Sequence, residues 1–215
     1  MNRHVIVLIV TVLLLSLIGC GKQETKDDTV AYIKANLNSE YEKVYKDLGL
    51  GILYDFDYKL PYADQSWVNI WVEGYLDGKK MEPFHLTELS YGLNPEPMVE
   101  GRMGFGLINP TSEDGSLFLY SGQVKAPPTR LNNQMQLHSN TMASSWDYAI
   151  GDEQIGLNSG ETRLLGVYRK TNKKTISSYD YQDSQSVEKM IQDESVVLLL
   201  KIKVETDKKI EGKLD

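Results

Sequence analysis

Few side chains in this sequence are equipped for catalysis, and they are scattered. Of the three histidines, His4 precedes a long apolar run, His85 falls in a strand-patterned stretch, and His138 stands beside Ser139 and Asn140 in a polar connection. No G-x-S-x-G elbow or H-E-x-x-H helix accompanies them, so a hydrolase of envelope polymers would need His138 or His85 to meet carboxylates brought up by the fold. Ser186 and Lys189 match S-x-x-K, a spacing of one helical turn that lets an amine act as base for a hydroxyl. The K-T-G and S-D-N partners of such enzymes are missing: Lys170-Thr171 runs into Asn172 and Lys174-Thr175 into Ile176. Asp55/Asp57, Asp152/Glu153 and Asp180/Asp183 offer hard oxygen ligands without the D-x-D-x-D-G spacing of a calcium loop. Asp55 and Asp57, two apart, read as a solvated strand face. From these residues we expect no catalytic apparatus, no metal site and no cofactor.

A binding surface is the better-supported expectation. Trp67, Trp71 and Tyr75 alternate with Val68, Ile70 and Val72, so they share the strand face opposite the aliphatic one and are interleaved with Asn69 and Glu73. With the aliphatic side in a core, the aromatic side points outward, where rigid amphipathic rings suit glycan stacking or a protein or peptide partner. The competing arrangement is a second layer, such as a tyrosine-rich helix, packed over the same rings.

The elements that position these residues follow from hydropathy. Val30, Ile33, Leu37, Tyr41, Val44, Tyr45 and Leu48 recur at three- and four-residue spacing, which predicts an amphipathic helix of about five turns from Thr29, closed at Gly49 and docked on a sheet. After Gly51 the period is two. Strands are expected over Ile52–Leu60, Trp67–Leu76, Phe84–Tyr91, Arg102–Ile108, Ser116–Val124 and Thr162–Arg169, with a hairpin turn at Asp77-Gly78 and a second hairpin across Asn109-Pro110 and Asp114-Gly115. The glycines of "EGRMGFG" read as a thinned strand and not as a phosphate loop. A short helix over Ser184–Asp193 feeds "SVVLLLKIKVE", whose apolar first half predicts an interior strand. Pro127-Pro128 and Leu131–Ser145 read as an irregular connection. The expected fold is mainly β (α+β): an antiparallel β-sandwich or partly open barrel with one N-terminal amphipathic helix and a short helix before the last strand.

The first residues carry a different message. Arg3 supplies a positive charge, Val5 to Ile18 is apolar except for Thr11 and Ser16, and a polar segment follows; the run is short for a permanent span of about 20 residues. Leu17-Ile18-Gly19-Cys20 contains the chain's single cysteine and resembles the lipobox of bacterial lipoproteins. The resemblance covers only the first 20 or so residues. It implies cleavage after Gly19, lipid attachment at Cys20, and a mature protein held on the cell membrane facing the extracytoplasmic side. The organisation expected is a signal peptide over 1–19, a lipidated flexible tether over 20–28, a single domain over 29–207 and a polar tail over 208–215.

Composition limits the partners. Lys and Arg number 23 against 30 Asp and Glu, a net charge of −7, which argues against nucleic acid or broad attraction to anionic lipid. The function expected is a membrane-anchored, non-catalytic binding or interaction module of the cell envelope, with an envelope protein, peptide or glycan as partner.

Overall fold

A computed structural model describes residues 28–110, 112, 114–122, 124–131 and 143–207. Cys20, His138, the expected signal segment over 1–19 and the expected tail over 208–215 lie outside the described residues. The first described element corrects the expected long helix. Thr29–Ala35 is a strand, β1, followed by a turn and a helix of about two turns, α1, over Glu40–Asp47. A register shift between Thr29 and Ala31 puts Val30 and Ile33 both in the core, so two buried residues three apart imitate a helical period. What separates strand from helix is Asn38, at φ 58°, and the Ser39 cap: its hydroxyl accepts from Glu42 N at 3.1 Å, while Glu42 accepts from Asn38 N at 2.9 Å.

The remaining strands are β2 (Gly51–Leu60), β3 (Ser66–Leu76), β4 (Lys79–Gly92), β5 (Val99–Ile108), β6 (Ser116–Ser121), β7 (Val124–Lys125), β8 (Thr129–Arg130), β9 (Ala143–Tyr148), β10 (Ile155–Asn158), β11 (Thr162–Thr171) and β12 (Val196–Thr206). A second helix, α2, spans Ser184–Asp193. Among the described residues they form two antiparallel sheets packed as a β-sandwich. The first has the order β10-β1-β2-β5-β6-β7, with β8 also on β6; the second has the order β4-β3-β12-β11-β9.

Asp77 and Gly78, at φ 47° and 77°, make the tight turn joining β3 to β4. Inward residues of both sheets, among them Phe56, Ile70, Val72, Phe105, Leu119, Leu198 and Leu200, form the main core. β12 lies between β3 and β11. Its other face carries Val197 and Leu199 under Val187, Met190 and Ile191 of α2, which explains a strand apolar on both sides. Polar ties cross the sandwich: Tyr54 donates to Val167 O at 2.6 Å, and Asp55 N donates to the Tyr148 hydroxyl at 3.0 Å.

Candidate functional site

The outward face of β3 divides at its middle. Trp67 is 43% exposed, whereas Trp71, Tyr75 and Glu73 are buried; Asn69 is half-buried and accepts from the Ser90 hydroxyl at 2.6 Å. Glu73 gathers its neighbours. Trp71 Nε1 donates to Oε1 at 3.0 Å, while the Tyr75 hydroxyl and Lys201 Nζ reach Oε2 at 2.9 and 2.8 Å. Burial by itself would raise the pKa of this carboxyl, but the hydrogen bonds from Lys201 and Trp71 and the Lys201 charge hold it below its ordinary value. Tyr75 also packs under α2, so the second layer over its ring comes from the second helix and not the first. The five residues therefore include one freely presented ring, Trp67.

The other sequence candidates are engaged locally. His85 Nδ1 lies 2.6 Å from Glu88 Oε2, and its ring is 5.4 Å from that of Trp71 on the outer surface of the second sheet. The Ser186 hydroxyl accepts from Asp180 N at 2.8 Å, so it is committed to the loop ahead of α2, and Asp183 caps that helix.

Asp55 overturns the solvated-face expectation. Its side chain is wholly buried, while Asp57 two residues on is exposed. The difference arises where β1 has ended: α1 lies over Leu53, and Tyr120 and Arg102, both met by Tyr41 of α1, close on Asp55. β5 and β6 complete the cover. The Tyr120 hydroxyl donates to Asp55 Oδ1 at 2.7 Å, and Arg102 Nη1 stands 3.6 Å from Oδ2, which accepts no hydrogen bond among the described residues. Arg102 Nε lies 3.7 Å from Asp57 Oδ1, and the guanidinium sits 4.7 Å over the ring of Tyr41. Burial, and then the bond to Asp55, push the Tyr120 phenol well above its ordinary pKa, so it stays a donor.

Around this floor is an open groove of about 740 Å³ between α1 and the sheet, lined by Tyr41, Val44, Tyr45, Leu53, Arg102, Phe118 and Tyr120, with Glu40 and Lys125 at its edges. Tyr41 meets Tyr120 edge-on at 6.4 Å, and Tyr45 approaches Phe118 at 6.1 Å. The two outward glycines of β5 make this possible. A Cβ at Gly104 would come within 2.6 Å of the Tyr120 hydroxyl, and one at Gly106 would run into the Phe118 ring. The alternating glycines of "GFG" were thus the available sequence signal for rings lying flat on the neighbouring strand.

One side of the groove stays uncovered. Leu37, Tyr41, Val44 and Leu48, spaced along one side of α1 and its flanks, are 44%, 49%, 48% and 66% exposed. The arrangement offers apolar and aromatic contact area around one arginine, with lining charges of both signs. Comparison with protein-family models, curated proteins and solved structures gives no significant match to this chain.

Proposed function

We propose that this chain is a membrane-anchored extracytoplasmic lipoprotein that acts as a non-catalytic interaction module in the cell envelope, and that it holds a protein partner in the groove beneath α1. The observation that carries the reading is the continuity of the exposed stripe Leu37, Tyr41, Val44 and Leu48 with the groove floor at Phe118, Tyr120 and Arg102. Scattered exposed apolar residues need no explanation, but a contiguous set beside a groove marks an interaction surface. Tyrosine and arginine are also the residue types that carry binding energy in interfaces, because they give large contact area and directed polar contacts together. The aliphatic members favour a partner with apolar side chains over a glycan, which would stack on ring faces alone.

The partner is to be captured by crosslinking and pull-down of the full chain from its own membranes, comparing Tyr41→Ala with Trp67→Ala. Tyr41→Ala should cost about 2 kcal/mol or more of binding, as hot-spot aromatics do, while Trp67→Ala leaves capture intact. Loss of the partner with Trp67→Ala and not with Tyr41→Ala would return the site to the outward face of β3.

A further inference from the structure

A second cavity lies between the sheets, and of its lining residues Gly122 alone also lines the groove under α1. It has a volume of about 530 Å³, within the range of small-molecule sites of about 300 to 1,000 Å³. Its inner walls are buried apolar residues, Leu60, Ala63 and Val68, with Val99 partly buried beside them.

One patch of this wall is polar, and it is built from hydroxyls. Tyr91 on β4 shares a hydrogen bond with Ser121 on β6, and Tyr58 lines the same wall. Two hydroxyls joined by one bond have one donor left and several lone pairs, so the pair can still bind a polar group from the cavity. Burial pushes the Tyr91 phenol above its ordinary pKa, keeping it protonated.

The charges at the cavity select the ligand. Among the described residues the only charged lining side chain is Glu100, already paired with Lys59 at 2.8 Å. Among the described residues no cation lines the cavity, so a carboxylate or phosphate head would be buried without a partner there, which is costly. At the mouth Leu93, 66% exposed, is held at φ 52°, where non-glycine residues are uncommon; Leu93 N donates to Ser66 O at 2.9 Å. Val124 is the other exposed apolar residue there.

We propose that this cleft binds a neutral amphiphile, an alkyl chain with an uncharged hydroxyl or carbonyl head. The chain lies along Leu60, Ala63, Val68 and Val99, and the head bonds to the Tyr91 and Ser121 hydroxyls. Its apolar wall and its hydroxyls are separate from the lining of the groove under α1.

The test is calorimetric titration of the full chain with 1-decanol and, separately, with decanoate at pH 8. Decanol should bind saturably with one site, and decanoate about tenfold more weakly or worse, since an unpaired buried charge exceeds the worth of one neutral hydrogen bond. Tyr91→Phe keeps the cavity's shape and should weaken decanol about five- to tenfold. Ala63→Leu fills the cavity and should abolish uptake, with thermal melting confirming that the variant is folded. If Ala63→Leu does not fold, Tyr91→Phe and the alcohol-to-carboxylate ratio still decide. The proposal is overturned by a folded wild type that takes up no decanol, by equal affinity for decanoate, or by undiminished decanol affinity in Tyr91→Phe.

Discussion

The Tyr120 hydroxyl donates to one oxygen of Asp55 at 2.7 Å, while the other oxygen of that wholly buried carboxyl has, among the described residues, only the Arg102 guanidinium, at 3.6 Å. The groove floor at Tyr120 and Arg102 is therefore tied to a buried acid by one strong hydrogen bond and one loose ion pair. Such a group is costly to strand, because a charged acceptor that loses its donor loses solvation as well.

Tyr120→Phe should accordingly lower stability by about 1 to 3 kcal/mol, since it leaves the Asp55 oxygen buried without its donor. The measurement is the urea midpoint at unchanged m-value. An unchanged midpoint would mean that this bond does not hold the groove floor together.

The tryptophans separate two roles on one strand face. Trp71 is buried against Glu73 and His85, so Trp71→Ala should cost about 3 to 5 kcal/mol, as large-to-small changes in packed sites do. Trp67→Ala at a 43% exposed position should stay within about 0.5 to 1 kcal/mol. Acrylamide should quench Trp67 and the 51% exposed Trp146 and leave Trp71 emitting. Equal quenching of Trp71 would contradict its place beneath this network.

Glu73 gives a prediction in pH. Its folded pKa lies below the ordinary value of 4.5, so on acidification the unfolded chain takes up the proton first. The stability contributed by this group is fully present above the unfolded pKa and is lost as pH falls through the folded one. Glu73→Gln should therefore flatten the fall in stability below about pH 4.5 that the wild type shows. Urea midpoints at pH 7, 5, 4 and 3 for both proteins check it; parallel acid limbs would show that Glu73 has no part in the transition.

The long strands β2 to β6 and β11 were readable because each has an inward face in the core, which writes a period of two into residues such as Tyr54, Phe56 and Tyr58. The short β9, which begins inside the expected irregular connection, and β10 were not expected. β12 was readable as interior because both its faces are covered. β1 was not: its bulge shifts the phase of burial by one residue, and the period then mimics a helix. Two local signals pointed the other way, the β-favouring run Thr29-Val30-Ala31-Tyr32-Ile33 and the Ser39-x-x-Glu42 capping pattern. The groove was illegible for a different reason. It is made by a helix laid over a neighbouring sheet face, so Asp55 looks like any solvated acid until Tyr120 and Arg102 close on it. Ser39→Ala, which removes the cap that starts α1, should cost about 1 kcal/mol and loosen the groove's helical wall, seen as faster amide exchange over Glu40–Asp47.

The anchor is tested separately from the fold. Leu17 to Cys20 resembles a lipobox, and two or three acyl chains hold a protein at a membrane where a single chain binds only marginally. If Cys20 is the attachment point, Cys20→Ser removes the only thiol the chain has, so palmitate labelling should vanish and the signal segment should stay uncleaved. The precursor would still carry its apolar run and sediment with membranes, so fractionation alone does not decide. The deciding readouts are metabolic acyl labelling and the size of the product. Unchanged acyl labelling in Cys20→Ser would remove the lipoprotein reading, and the groove under α1 would then need a partner sought outside the envelope.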